Sequence, residues 1–440
     1  MTGTPSWRAA YNARLVSPAS AVMRLDDGMH LIFPTMAGEP PAVIEAIGAA
    51  ARAGKLAQIS LSNILPGRHT ARELHTPEVL ERVHWNSFFC GASDRQSVFE
   101  GSSDMTPMHF SEVPMVMERY MPCQAVATLI SPPDEEGYMT PSLAIDYTKH
   151  MLDTVSLKIV EVNPNVPRVF GNCRVHVEDV DVIVESDMPI QELPSPELGP
   201  DDETIGQLIA ERIPDGATVQ IGFGAVPSAV ALSLRDHRHL GVHSEMFVDN
   251  MRVLMESGVV DNSRKSLHPG KSLYTFCAGQ QATYSFLNEN KAIEAHPVDY
   301  TNDPFIIAKH DHMISINSML AVDLTGQACA ESIGPIQYSG PGGQLDFVRG
   351  AVRARGGHSF LATYATAKGG TISRIVDTLP EGSVVTTPRT DIDKVVTEFG
   401  VAELRGKSLR ARAQALIAIA NPKFRDDLQR KAAARGLAPR

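Results

Sequence analysis

At 440 residues the chain is longer than one ordinary hydrophobic core organises, so two domains are expected. Apolar residues make up 43% and charged residues 21%, a balance that excludes a disordered chain and suits a soluble globular protein. The net charge of −11 excludes a surface for non-specific nucleic-acid binding, while leaving room for a local basic pocket that faces a polyanionic ligand.

The first twenty residues lack the continuous apolar core of a signal peptide, and no run of apolar residues is long enough to span a membrane. The five cysteines (Cys90, Cys123, Cys173, Cys277 and Cys329) lie far apart, with no CxxC or Cys/His cluster, as expected for free thiols in a reducing compartment. A cytoplasmic protein with no membrane association is the expectation. Neither HExxH nor another metal-ligand spacing occurs among the 15 histidines, so no metal is expected.

After an N-terminal arm, Asp27-Gly28 begins a βαβ unit: a strand over 29–33, a Pro/Gly loop over 34–40, a helix over 42–51 and a strand over 56–62. The alternation continues with a strand over 83–89, helix-like 113–120, strand 125–130, helix 145–151 and strand 157–162. The pattern VHVEDVDVIVESDMPI predicts strands that close a first domain over residues 1–195, and LPSPELGP (193–200) reads as a linker. A helix over 202–212 opens a second domain, 201–440. The second half starts as the first does: Asp215-Gly216 repeats Asp27-Gly28 at an offset of 188 residues, again followed by strand, Gly/Pro loop and helix. The predicted fold is α/β, with two tandem related open domains of mostly parallel sheet and an active site in the interdomain cleft.

The stretch 215–250 carries the chemistry. A buried strand over 217–221 runs into Gly222-Phe223-Gly224-Ala225-Val226-Pro227 and a helix over 228–234, an arrangement that points backbone N–H groups at an anion. Strand-like 241–246 follows and carries Glu245 where the pattern would otherwise stay apolar. An anion-stabilising loop beside a strand-borne carboxylate supplies the parts of acyl chemistry through a glutamyl intermediate, although a lone Glu at a strand end is more often a solvated acid. His243 reads as a surface or packed imidazole.

Several motifs go beyond a generic α/β pattern. They are SPPDEEGY (131–138), NPNVPRVFGN (163–172), GFGAVP, HSEM, HPVDYTNDP (296–304), ISINSMLAVDLTGQ (314–327) and SGPGGQLDFVRGA (339–351). Together and in this order they resemble the acetyl-CoA hydrolase/transferase family, in its 4-hydroxybutyrate CoA-transferase-like branch, over almost the whole chain. The resemblance implies a CoA-transferase that moves CoA between short-chain carboxylic acids (the 4-hydroxybutyrate, acetate, butyrate, succinate or itaconate class) by a ping-pong route. Coenzyme A and its acyl esters enter as substrates and a homodimer or homotetramer is implied. Glu245, in the HSEM motif, is the implied nucleophile, forming an acyl-glutamyl anhydride and then a glutamyl-CoA thioester. An acyl-CoA hydrolase on the same scaffold and a catalytically silent CoA-binding protein are the alternatives.

An anhydride and an enzyme thioester conserve the activated acyl bond, and each addition develops an oxyanion that needs backbone donors. Gly222, Phe223, Gly224, Ala225 and Val226 form one source, and Gly342-Gly343 a second. Lys368 in ATAKGG is the family-pattern candidate for a CoA phosphate or the pantetheine arm, and Leu320 lies on a stretch that lines the arm or packs as core. Asp323 and Glu331 read as turn acids, Arg349 as an i, i+3 partner of Asp346, and 405–440 as a surface helix. The chain departs from the branch just after the nucleophile, where Asp249-Asn250-Met251-Arg252 replaces Asp-Gly and small residues. A bulkier turn there would reshape the acyl pocket, and Arg252 would suit the far carboxylate of a dicarboxylic acid, which puts 4-hydroxybutyrate itself in doubt.

Overall fold

A computed structural model describes residues 6–438. The chain divides into two compact units, residues 1–194 with 273–301, and residues 195–272 with 302–440.

The first unit is built on a seven-stranded sheet: β1 His30–Ile32, β2 Ile59–Asn63, β3 Val83–Ser87, β4 Asp104–Met105, β5 Ala125–Ile130, β6 Leu157–Val162 and β7 Val182–Glu185. They lie in the order β7-β6-β5-β1-β2-β3-β4, and every pairing is parallel. The interior strand β5, AVATLI, is buried at every position, the continuous apolar run expected of a parallel strand covered on both faces. Helix α1, Pro41–Arg52, covers one face, burying Val43, Ile44, Ile47 and Ala51 against a core that includes Leu31, Leu61, Trp85 and Ala127.

The second unit carries a six-stranded sheet: β8 Thr218–Ile221, β9 Gly241–Val242, β10 Met313–Ser318, β11 His358–Ala362, β12 Lys394–Thr397 and β13 Gly400–Glu403. Its order is β9-β8-β10-β11-β12-β13, parallel except for the closing β12–β13 hairpin. Helix α2, Pro200–Ala210, packs against α3, Ala225–Ser233, so closely that a Cβ on Gly206 would meet the Ala229 carbonyl carbon at 2.7 Å. Helix α4 is Asp249–Glu256, α5 is Gln344–Arg353, and α6 Leu409–Ala418 and α7 Pro422–Ala434 end the chain.

The repeated opening is structural as well as sequential. Gly28 and Gly216 both adopt φ of 80°. In the first unit the Gly28 N–H bonds to the Gln58 carbonyl while Asp27 Oδ1 accepts the Gln58 N–H. In the second the Gly216 N–H bonds to the Arg238 carbonyl while Asp215 Oδ1 accepts the Arg238 N–H. Each Asp-Gly pair thus ties the start of one strand to the residue that leads into its parallel neighbour.

Prolines and side-chain caps move several boundaries. Helix α2 begins at Pro200 rather than 202, because proline fits the first helical position and the Asp202 carboxylate reaches back to the Gly199 N–H. Helix α3 begins at Ala225 and takes Pro227 into its first turn, where a missing N–H costs nothing. The expected helix 145–151 starts at Thr148, since Asp146 Oδ1 accepts both the Thr148 N–H and its hydroxyl. The C-terminal segment forms two helices broken at Asn421-Pro422, and its stripe Leu416, Ile417, Leu428 and Ala432 joins the core of the second unit instead of lying on the surface. No helix among the described residues is long and apolar enough to cross a membrane.

Candidate active site

Parallel strands end together, and in the second unit four of those carboxyl ends bring the predicted site residues to one edge of the sheet. Strand β8 runs into Gly222-Phe223-Gly224, its neighbour β9 into His243-Ser244-Glu245, β10 toward Leu320, and β11 toward Lys368. Thr218 pairs with Gly241 and Val219 with Val242, so the glycine loop and Glu245 leave adjoining strands at nearly the same level.

The expected strand 241–246 is interrupted. It pairs over Gly241–Val242 and resumes at Met246–Phe247, and 243–245 leave the ladder. The exit is fixed by backbone: the His243 N–H bonds to the Val219 carbonyl at 3.2 Å, and the Val242 carbonyl accepts the Lys265 ammonium at 2.7 Å. His243 and Ser244 are fully buried while Glu245 is half-buried, so the turn hides its base and presents the acid.

Two groups grip the Glu245 carboxylate. Asn302 Nδ2 donates to Oε2 at 2.7 Å, and the Gly343 N–H also donates to the carboxylate. Asn302 and Gly343 are themselves buried, and a Cβ at position 343 would overlap both Glu245 Oε2 and Asn302 Nδ2. Burial pushes Glu245 up to about 7, and the Asn302 and Gly343 donors, which favour the carboxylate, hold it from rising further. A carboxylate poised there is ionised in a useful fraction near neutral pH without being stabilised into inertness.

The glycine loop is committed unevenly. The Gly222 N–H bonds to the Ile316 carbonyl at 2.9 Å, so Gly222 belongs to the sheet and is spent as a donor. Its approach to β10 leaves 3.3 Å from a would-be Cβ to Asn317 Oδ1, and Asn317 in turn exchanges two amide hydrogen bonds with Gln220 (3.2 and 3.1 Å). Available donors start at Phe223, which is exposed, and continue through Gly224, Ala225 and Val226, where a helix start leaves N–H groups without intrahelical acceptors. Gly224 sits at φ 121° and Gly342 at φ 50°, conformations that favour glycine.

Leu320 and Lys368 lie further along the sheet. Leu320 is half-buried just beyond β10, two strands from β9. Lys368 is exposed at a hairpin tip beyond β11, with φ 47° and Gly369 and Gly370 also left-handed. At ~4.8 Å per strand, β9 and β11 are roughly 14 Å apart, a span for an extended ligand rather than a small acid.

Three secondary expectations resolve here. Asp323 is a turn acid, accepting from the Thr325 and Gln327 N–H groups. Arg349 reaches Asp391 at 3.2 Å, on a different segment from its predicted partner Asp346. Asp249-Asn250-Met251-Arg252 is the first turn of α4, with Asp249 at the helix N-terminus, where an acid is favoured. Arg252 Nη1 donates to Glu256 Oε2 one turn along at 2.6 Å.

Asn302 was within reach of sequence reading, inside the HPVDYTNDP motif, but nothing local announces its bond to an acid 57 residues earlier. His310 carried no signal at all. It is buried, with Nε2 3.1 Å from His243 Nδ1.

The acetyl-CoA hydrolase/transferase N-terminal domain matches residues 4–193 and the acetyl-CoA hydrolase/transferase C-terminal domain residues 279–432. The chain is 43% identical over 423 residues to the succinyl-CoA:cyclohexane-1-carboxylate CoA transferase of Geobacter metallireducens, covering 96% of each chain. It is 42% identical to the 4-hydroxybutyrate coenzyme A transferase of Clostridium kluyveri over 96% of this chain and 98% of that one. Among solved structures, RipA from Yersinia pestis superposes with a TM-score of 0.94 at 37% identity, covering 98% of this chain and 100% of that one. The 4-hydroxybutyrate CoA-transferase of Porphyromonas gingivalis gives 0.85 at 35% identity, with the same coverage.

Proposed function

The chain belongs to the acetyl-CoA hydrolase/transferase family and is a CoA-transferase, and on that premise we propose that Glu245 is its nucleophile in a ping-pong exchange of CoA between short-chain carboxylic acids. The observation that carries this reading is the grip on Glu245: a half-buried carboxylate, pushed up to about 7, held by Asn302 and Gly343 at the carboxyl edge of a parallel sheet.

A Glu245 oxygen attacks the thioester carbon of the acyl-CoA. The C–S bond breaks, CoA leaves as thiolate, and an acyl-glutamyl anhydride remains. The thiolate then attacks the Glu245 carbonyl carbon, expelling the first acid as carboxylate and leaving a glutamyl-CoA thioester. A second acid attacks that thioester, and the thiolate finally adds to the acyl carbon of the new anhydride, releasing Glu245. Both attacks on the Glu245 carbon develop negative charge on its own oxygen, where Asn302 Nδ2 and the Gly343 N–H are already aimed. Attacks on the substrate carbon require other donors, and the N–H groups from Phe223 to Val226 on the adjoining strand end suit that role. A single such donor is worth about 3 kcal/mol of barrier.

Coenzyme A enters as acyl-CoA. Leu320 would line its arm and Lys368 would meet a phosphate, at the distance along the sheet that a long ligand needs. Remote binding energy of that kind can be used to align the thioester. The acids exchanged belong to the short-chain class, with 4-hydroxybutyrate, butyrate, acetate, succinate and itaconate as the panel to test. The oligomer is a homodimer or homotetramer and the compartment the cytoplasm.

The test is direct. Glu245→Ala abolishes exchange between an acyl-CoA and a second acid, and an exchange rate within about tenfold of wild type overturns the nucleophile. Free CoA released at full rate without added acid would instead establish a hydrolase. Incubation with a panel of acyl-CoAs, trapping with borohydride or hydroxylamine and peptide mapping should place the mark on Glu245 and rank the acids.

A further inference from the structure

Glu245 and His243 are held by the same two pieces of chain. The segment 302–310 supplies Asn302 to Glu245 and His310 to His243. The N-terminal part of α5 supplies the Gly343 N–H to Glu245 and the Phe347 ring to His243, with centroids 6.2 Å apart. These two pieces also lock to each other, since Gly350 on α5 packs so tightly on Ile307 that a Cβ would collide with it. The nucleophile is therefore bracketed twice, once at the carboxylate and once two residues upstream.

In the upstream bracket the protonation of His310 is defined. Both imidazoles are fully buried, their rings 4.6 Å apart and tilted by 53°. Burial first, then the nearby Lys265 and His268 charges, push His310 down to about 3, against a smaller opposing effect of Asp311, so the ring is neutral throughout the working range. His310 Nδ1 has no hydrogen-bond partner. A buried N–H is rarely orphaned, so the proton sits on Nε2 and is donated to His243 Nδ1.

We propose that His243 and His310 are positioning residues for the transfer reaction: their single N–H···N bond sets where Asn302 stands relative to Glu245. Breaking the bond frees the 302–310 segment at one end, and the Asn302 donor at its other end drifts from Oε2. The proposal rests on Glu245 being the nucleophile, which trapping and peptide mapping decide separately.

Three substitutions separate positioning from mere packing. Glutamine at 310 places an amide N–H where Nε2 was, asparagine places it short of that point, and leucine removes it. With purified full-length enzyme, His310→Gln should keep kcat within about threefold of wild type, whereas His310→Asn and His310→Leu lose about tenfold or more. KM for the acyl-CoA should stay within about twofold in all three, because no binding group is touched. The acid limb of the kcat/KM profile should move alkaline by about half a pH unit in Asn and Leu, in the same direction as in Asn302→Ala, because the donor that favours the carboxylate is weakened. If Gln is as impaired as Asn, or if the acid limb stays put in Asn and Leu, the proposal is wrong. Should the Leu protein fail to fold, the Gln–Asn comparison still decides. A wild-type mark on a residue other than Glu245 would instead overturn the nucleophile.

Discussion

Position 343 has no room for a side chain, because a Cβ there would occupy the same space as Oε2 of Glu245 and Nδ2 of Asn302. Gly343 itself has φ −94°, a value open to any residue, so its requirement for glycine is steric and comes from the carboxylate it serves. Gly343→Ala should displace Glu245 or Asn302 by a sizeable fraction of an ångström. The expected result is a loss of about 100-fold in kcat with a cooperative melt retained, checked by CoA-exchange assay beside thermal denaturation. Near-wild-type turnover would show that the close fit around the Glu245 carboxylate is not required.

The pH behaviour follows from Glu245. Its proton must leave before it attacks, so kcat/KM should rise through an acid limb near pH 7. Stability runs the other way. Between pH 4.5 and 7 the unfolded chain has released this proton while the folded chain still holds it, so stability falls across that window and is flat above it. The cost at and above pH 7 has an upper bound of about 3 kcal/mol, so Glu245→Gln should melt higher than wild type at pH 8 and much the same at pH 4. Equal melting temperatures at pH 8 would mean that the acid is not desolvated.

A second buried acid predicts a larger effect of the same sign. Glu39, in the first unit, is pushed up to about 8 by burial, with Asp94 adding to the rise and the Gly67 N–H, Thr70 and Asn63 opposing it. Its stabilising neutral form is lost as pH rises from 4.5 through 8, an upper bound of about 5 kcal/mol. Glu39→Gln keeps the shape without the charge, and urea titrations should show its advantage growing between pH 5 and 9. A constant difference would place Glu39 in a wetter site.

The Gln220–Asn317 amide pair lies beneath the Gly222 turn, with Gln220 only 3% exposed. Asn317→Ala strands that buried amide, at a cost of about 1–3 kcal/mol. Double substitution of both amides by apolar residues should recover part of the loss, which a double-mutant cycle in chemical denaturation measures.

What could be read from the chain was local. The Asp-Gly pairs at 27 and 215 mark the bases of two β-strands, glycines 222 and 343 mark close approaches, glycines 224 and 342 mark positive-φ turns, and the acid in an apolar strand end marks Glu245. Each is a property of a few consecutive residues. The bonds made by Asn302 and His310 were not legible because each reaches a partner 57 or 67 residues away, and neither residue type is unusual for its own turn. The helix starts at Pro200, Ala225 and Thr148 were missed for a related reason: proline tolerance and side-chain caps shift a boundary without altering the periodicity that predicts the helix.

The double bracket around Glu245, the proposed nucleophile, also sets when the enzyme would become reactive during its synthesis. The ribosome makes His243 and Glu245 well before Asn302, His310, Gly343 and Phe347, and none of the contacts between them is local. Contacts so distant in sequence form late, after the intervening strands have closed their loops. Until then Glu245 is an ordinary solvated acid on an unfinished sheet, ionised but without the donors its attack requires. A nascent or truncated chain ending before α5 therefore has no competent carboxylate to consume cellular thioesters, and the protein acquires its reactivity only as the second unit completes its fold.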